Sequence, residues 1–189
     1  MKRLIRNALL LSMVLSSFSG VLFAQTAPQP VIGKFDINAI PVSGAVLGDF
    51  PYIQLPRGLK LLNGEAYTHQ EDFLFFPVDG KMQRLEGNVW RAFIANEGSV
   101  GNKWSYDYFE KKLAAEITRL GGVKIFEGKV SGAELDRIKE EATYFGDEGS
   151  IDYWNNKVLV YVIRRQDGHH IYCQFSGNSA GGQLQVLQQ

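Results

Sequence analysis

The chain contains one run of six consecutive apolar residues, Val158–Ile163, and this run limits the fold more than any other feature of the sequence. Because successive side chains of a strand point to opposite faces, a strand that is apolar throughout belongs in the interior of a sheet. Gln166-Asp167-Gly168 then predicts a turn, and residues 169–176 predict a returning strand. Residues 184–187 predict a last strand, so the C-terminal third is expected to form a β-meander.

A hairpin is predicted in the middle of the chain. The aromatic-rich run Asp72–Val78 is followed by Asp79-Gly80, a dipeptide that favours a tight turn because both positions tolerate positive φ. Residues 81–96 predict the partner strand, with apolar side chains on both of its faces. Gly87 is the candidate for a β-bulge in this strand.

Two helices are predicted between these groups of strands. Apolar residues recur every three or four positions from Ser105 to Leu120, and Gly121-Gly122 supplies the stop. Ser131-Gly132-Ala133-Glu134 has the pattern of a capping box and predicts a second helix that ends before Gly146. The sequence therefore predicts an α+β fold, with a mainly antiparallel β-sheet and two helices packed on one face.

The first 24 residues predict a secretion signal. It begins with three basic residues, Lys2, Arg3 and Arg6. The stretch Ala8–Phe18 has no charge, and Ala24 offers the small residue after which signal peptidase cleaves. Cleavage after Ala27 is the second option. The chain is thus expected to be exported from the bacterial cytoplasm and to work in the periplasm, with an association to the outer membrane as one arrangement.

The rest of the chain is expected to form a loosely ordered leader over residues 25–49, with a short edge strand near residues 35–37, and a single domain over residues 50–189. No later apolar run is long enough to span a bilayer, so no transmembrane segment is expected after signal cleavage. The only cysteine, Cys173, is far from the cleavage site, which predicts that the protein has no lipid anchor. A single cysteine also allows no intramolecular disulfide.

The charge balance argues against nucleic acid as a partner. Removal of the first 24 residues takes three of the 20 basic residues and none of the 20 acidic ones, which leaves a net charge of −3. Phosphate binding needs clustered lysine and arginine side chains, and the mature sequence has no such cluster.

The sequence predicts no catalytic residue, no metal site and no cofactor. His169 and His170 are neighbours on a predicted strand, so their rings point to opposite faces and cannot share a metal ion without a bulge. His69 lies in a polar segment, where a solvated side chain is the commoner outcome. Cys173 alternates with apolar residues, which favours a buried structural thiol over a reactive one.

Three aromatic residues are the candidates for a binding site. Tyr153 and Trp154 follow the second predicted helix and stand beside amide side chains, a combination that can hold a sugar or anchor a protein partner. Trp104 precedes the first helix and is a candidate either for binding or for a hydrophobic staple. For each tryptophan the alternative is a structural role at the edge of the core.

Three segments carry a resemblance to a known family: Arg84–Ala92, the run Gly121–Gly128 after the first helix, and Tyr161–Ile163 before the last hairpin. Their order resembles the N-terminal region that precedes the peptidoglycan-binding domain in some OmpA-family outer-membrane proteins, and small envelope domains of unknown function. The resemblance covers roughly residues 52–187. It implies a free-standing envelope binding or assembly module, with no catalytic residue to carry over.

Three functions stay open on the sequence alone. The first is a non-catalytic module of the periplasm or cell envelope that binds an envelope protein or glycan. The second is a small periplasmic hydrolase that uses His69 or His170 with a neighbouring carboxylate as general base. The third is a carrier of a small apolar ligand, which requires a large closed cavity.

Overall fold

The structure is a computed structural model that describes residues 34–98 and 103–189. The predicted signal peptide and both cleavage sites lie outside the described residues. The strands are β1 (Leu59–Leu61), β2 (Tyr67–Val78), β3 (Lys81–Asn96), β4 (Val123–Gly128), β5 (Val158–Ile163), β6 (Ile171–Gly177) and β7 (Gly182–Gln188). The helices are α1 (Tyr106–Arg119) and α2 (Gly132–Ile138), and a 3-10 turn spans Ile37–Ala39.

The seven strands of the described chain form one antiparallel sheet in the order β1-β3-β7-β6-β5-β4, with β2 also paired to β3. β3 is the longest strand and organises one side of the sheet. Its residues 88–94 pair with β7, while its other edge pairs with β2 over residues 81–91 and with β1 over residues 94–96. The predicted α+β class with a mainly antiparallel sheet is confirmed.

The hairpin of β2 and β3 turns where the sequence predicts. Asp79 and Gly80 have φ values of 50° and 72°, and Val78 pairs with Lys81 across the turn. The register shift lies on β2, between His69 and Asp72, so the bulge predicted at Gly87 is wrong. Gly87 meets a different constraint, because a Cβ atom there would lie 2.0 Å from the carbonyl oxygen of Gln188.

The sheet separates two hydrophobic cores, and each core contains one helix. The first core joins α1 to alternate residues of the sheet, among them Phe109, Leu113, Ile117, Leu159, Tyr161 and Phe175. The second joins α2 to the intervening residues, among them Leu135, Ile138, Val158, Val160 and Val162. The helices therefore lie on opposite faces, and the prediction that both pack on one face is wrong. Because β5 is apolar throughout, both of its faces have to be buried, and each of the two cores buries one of them.

α1 begins and ends as the sequence predicts. The Ser105 hydroxyl accepts a hydrogen bond from the backbone N–H of Tyr108 at 3.2 Å, and Gly121 follows the helix with a φ of 86°. α2 is shorter than predicted, since it ends at Ile138. The chain then covers the second core with a series of turns that bury the side chains of Tyr144, Ile151 and Tyr153.

Residues 34–49 are held on the domain by hydrogen bonds rather than loosely ordered. The Arg164 guanidinium donates hydrogen bonds to the carbonyl oxygens of Asn38 and Ile40, at 2.9 and 3.0 Å. The Ser43 hydroxyl donates to the carbonyl oxygen of Leu120 at 2.7 Å. The edge strand expected near residues 35–37 is absent, because the Asp36 carboxylate caps a 3-10 turn by accepting from Asn38.

Candidate functional site

The predicted pair Tyr153-Trp154 is divided between the core and the surface. Tyr153 is buried, and its hydroxyl donates a hydrogen bond to the carbonyl oxygen of Phe75 at 3.1 Å. Burial raises the pKa of Tyr153 well above its ordinary value. The prediction that Tyr153 contacts a ligand is therefore wrong, because its ring fills the second core.

Trp154 lies on the surface, with 55% of its area exposed. The turn that carries it is held by the Asp152 carboxylate, which accepts from the backbone N–H of Asn155 at 3.2 Å and from its side-chain amide at 2.7 Å. The indole lies against α2, where a Cβ atom on Gly132 would be 3.4 Å from the ring. Trp154 lines none of the four surface clefts described below.

Trp104 has a structural role and also lines a cleft. Its ring packs against Phe109 with the centroids 5.3 Å apart, which is the contact of a hydrophobic staple at the start of α1. The indole N–H donates a hydrogen bond to the carbonyl oxygen of Asn178 at 2.7 Å. These two contacts fix the orientation of the ring, and its position beside a cleft leaves the predicted binding role open.

The cleft beside Trp104 has a volume of about 690 Å³. It is larger than three other surface clefts, which measure about 450, 350 and 460 Å³. We call it the α1 cleft. Its lining combines the loop before β1, the end of β3 and the start of α1: Arg57, Gly58, Leu59, Asn96, Glu97, Lys103, Trp104, Ser105 and Tyr108.

Tyr108 provides the second aromatic ring of the α1 cleft. It is 40% exposed and lies in the first turn of α1, while Trp104 precedes the helix, and both residues line the cleft. Its hydroxyl donates a hydrogen bond to the carbonyl oxygen of Arg57 at 2.8 Å, which ties α1 to the loop before β1. The Lys112 ammonium lies 5.7 Å from the centre of the same ring.

The α1 cleft also contains charged side chains that are free to meet a ligand. The guanidinium of Arg57 and the ammonium of Lys103 make no hydrogen bond or ion pair with any residue of the described chain. Glu97 adds one negative charge to the lining, so the two cations exceed it by one. A cleft that is lined by two aromatic residues and by two cations without an ion pair in the described chain can hold a polar ligand by ring contact and by charge.

A second cleft follows the same helix toward its C-terminal end. It is lined by Gln54, Leu55, Pro56, Lys112, Ala115, Glu116 and Arg119. Arg119 donates two hydrogen bonds to the Glu116 carboxylate, at 2.9 and 2.7 Å, so this cation is already paired. Because both clefts lie between α1 and residues 54–59, the hydrogen bond from Tyr108 to Arg57 marks the boundary between them.

The histidines His69 and His170 do not lie in these clefts, and their contacts are structural. His69 stacks on Tyr67, whose hydroxyl donates to the Asp72 carboxylate at 2.8 Å. The Nδ1 atom of His170 accepts a hydrogen bond from the backbone N–H of Arg165 at 3.3 Å, so this ring nitrogen serves the β5–β6 turn. None of the four clefts is lined by a histidine.

Cys173 is buried in the first core, and burial raises the pKa of its thiol far above the ordinary value. Within residues 34–98 and 103–189, no three His, Cys, Asp or Glu side chains are grouped so that they could hold a metal ion. In the same described ranges, no helix combines the length and apolar character that crossing a membrane would require.

Searches of protein-family models, curated proteins and solved structures all found no match to this chain.

Sequence reasoning identified one of the aromatic residues of the α1 cleft and missed its partners. Tyr108 could not be identified from the sequence, because the pattern of an amphipathic helix does not distinguish a solvated tyrosine in its first turn from one that contacts a ligand. Arg57 lies about fifty residues before α1, so only the three-dimensional fold brings it to Tyr108.

Proposed function

We propose that this chain is an exported, non-catalytic binding module of the bacterial cell envelope, located in the periplasm, which holds a saccharide in the α1 cleft. The observation that carries the proposal is that Trp104 and Tyr108 line one cleft together with Arg57 and Lys103, two cations that have no ion pair within the described chain. The N-terminal signal pattern supports export. The resemblance to the N-terminal region of OmpA-family proteins supports a place in the envelope.

A saccharide fits this cleft better than a protein partner does. Lysine and glutamate are depleted at the centre of a protein interface, whereas the α1 cleft contains Lys103 and Glu97. Its single aliphatic lining residue, Leu59, is buried and gives a partner protein little apolar surface. Flat aromatic faces surrounded by hydrogen-bonding groups suit a ligand that has apolar ring faces and polar edges.

The two other functions have less support. A hydrolase that uses His69 or His170 requires a cleft in which one of these rings meets a carboxylate, and neither ring lines the clefts described above. A carrier of a small apolar ligand requires an enclosed apolar chamber, whereas the α1 cleft opens to solvent between charged side chains.

The test is a binding titration with saccharide fragments released from bacterial envelopes. The protein is purified from the periplasmic fraction of an expressing bacterium. Replacement of Tyr108 by alanine removes a ring face and is expected to weaken binding by about tenfold, equivalent to about 1.4 kcal/mol. Tyr108→Phe keeps the ring and is expected to retain most of the affinity.

Trp154→Ala is the matched control, because it removes another exposed aromatic side chain, which lies outside the α1 cleft. Its affinity is expected to equal that of the wild type. Loss of binding in Trp154→Ala with full binding in Tyr108→Ala would move the site to the other surface. Capture of an envelope protein with no saccharide binding would replace the proposed ligand class.

A further inference from the structure

The cations along α1 are placed so that they reach the same ligand as the aromatic rings. Arg57 and Lys103 line the α1 cleft together with Trp104 and Tyr108. The Lys112 ammonium lies 5.7 Å from the centre of the Tyr108 ring and lines the neighbouring cleft, and it has no ion pair within the described chain. Two cations therefore share a cleft with Tyr108, and a third lies beside its ring.

Eight of the other fourteen lysine and arginine side chains of the described chain lie in an ion pair. Lys157 is held between Glu110 and Glu127, at 3.0 and 3.1 Å, and Arg165 lies 2.6 Å from Asp167. Arg57, Lys103 and Lys112 belong to the cations that have no ion pair within the described chain, and all three line the two clefts along α1. Cations without internal partners remain available for charge-assisted hydrogen bonds to an external anion.

The two clefts along α1 also imply an elongated ligand. Their lining residues run from Trp104 to Arg119, which corresponds to about 23 Å at 1.5 Å per helical residue. A chain of sugar units can follow such a path, with ring faces on the aromatic side chains and acidic groups on the cations. A single small anion would use only one of these positions.

We propose that the ligand is a linear anionic saccharide, whose carboxylate or phosphate groups pair with Arg57, Lys103 and Lys112 while a sugar ring stacks on Tyr108. This inference rests on the proposed function and adds the charge of the ligand to it. Arg57 contributes a planar fork of donors that can bind two oxygens of one acidic group. The lysines contribute point charges on flexible stems.

The test uses an immobilised panel of linear saccharides in matched pairs. One arm contains uronic-acid and muramic-acid oligosaccharides beside their methyl esters, and the other contains sugar-phosphate oligomers beside their dephosphorylated forms. The full chain, purified after export, is expected to bind at least one anionic member about tenfold more tightly than its neutral counterpart. The arm that shows the difference identifies the acidic group.

Charge variants locate the contact. The double variant Arg57→Gln with Lys103→Gln is expected to lose about tenfold in affinity for the anionic member and to bind the neutral member unchanged. Lys129→Gln with Lys139→Gln also removes two positive charges, at exposed positions before and after α2, and is expected to bind like the wild type, because α2 and α1 lie on opposite faces of the sheet. Affinity of the wild type should also fall as NaCl rises from about 0.05 M to about 0.5 M.

The outcomes separate the two proposals. Equal binding of anionic and neutral members would overturn the inference about charge and leave the saccharide module in place. An anionic preference that survives in the Arg57 and Lys103 double variant would also overturn it, since the cations would then lie elsewhere. Absence of binding to every saccharide, anionic or neutral, would overturn the inference together with the proposed function.

Discussion

At the scale of single residues, adjacent positions in this chain have opposite roles. Tyr153 donates a hydrogen bond to Phe75 inside the second core, whereas Trp154 is exposed on the turn that Asp152 holds. The sequence shows two neighbouring aromatics and predicts one site. The turns between α2 and β5 have no regular period, so the sequence does not show which of the two side chains points into the core. The fold of this segment decides it.

The thiol of Cys173 is expected to be inert in the native protein. It is buried in the first core, and burial raises its pKa, so thiolate is scarce at neutral pH. A thiol reagent should label Cys173 only after unfolding in denaturant, and mass spectrometry can count the label before and after. Fast labelling of the folded protein would contradict the burial of this side chain.

At the scale of elements, the sequence predicts the helices and strands well, but it does not predict the path of the irregular segment between α2 and β5. The stop at Gly121 and the turn at Asp79-Gly80 follow from local backbone preferences and are confirmed. The face to which each helix packs depends on how residues 139–157 return to the sheet, and that path is set by contacts between distant residues. One such contact brings Gly149 against the backbone of β3 at Ala92.

Two glycine substitutions test the packing of this irregular segment. Gly149 and Gly146 have positive φ values of 69° and 92°, but a Cβ atom at Gly149 would lie 2.2 Å from the backbone nitrogen of Ala92, while at Gly146 it would meet nothing within 4 Å. Gly146→Ala should cost about 1 kcal/mol of unfolding free energy in a urea titration. Gly149→Ala should cost about 3 kcal/mol or more, because backbone has to move.

Equal losses in the two glycine variants would show that residue 149 does not approach β3 as described.

The link between α2 and the β2–β3 hairpin depends on Glu134. Its carboxylate accepts from the backbone N–H of Met82 at 2.8 Å and from Arg137 at 2.6 Å, and only the Ser131 half of the predicted capping box forms. The Arg137 guanidinium, with the N–H of Met82, lowers the pKa of Glu134 from 4.5 to about 2. A depressed folded-state pKa contributes stability above about pH 4.5, which is lost as the pH falls toward 2.

Glu134→Gln is therefore expected to destabilise the fold by about 2 kcal/mol at neutral pH, and the difference from wild type should shrink between pH 4.5 and about 2. Urea titrations over this pH range measure the effect. Glu140→Gln, at an exposed position next to α2, is the control and should change stability by less than about 0.5 kcal/mol. A pH-independent cost in Glu134→Gln would show that the carboxylate charge is not what holds the hairpin.

At the scale of the whole molecule, the α+β class follows from the sequence, but the proposed ligand site does not. The apolar run of β5 and the helical period of α1 are local patterns, and each is confirmed. The α1 cleft is assembled from three distant parts of the chain, represented by Arg57, Glu97 and Tyr108. No local pattern in one sequence states that these side chains meet.

Export is the prediction that concerns the complete chain. If the first residues act as a secretion signal, mass spectrometry of the periplasmic fraction should find a mature N-terminus at Gln25 or Pro28. Chains that keep Met1 and remain in the cytoplasm would contradict the proposed location. The proposed saccharide site in the folded domain can be tested independently of that result.

The most direct measurement of the central claim is a titration followed by two-dimensional nitrogen–proton NMR of the three tryptophan indole groups. Trp104 lines the α1 cleft, Trp154 is exposed elsewhere, and Trp90 is buried, so the three signals report on three separate places. With envelope saccharide fragments as the titrant, the signal of Trp104 is predicted to move while those of Trp154 and Trp90 stay in place. Movement of the Trp154 signal alone, or of none of the three, would contradict the assignment of the α1 cleft as the binding site.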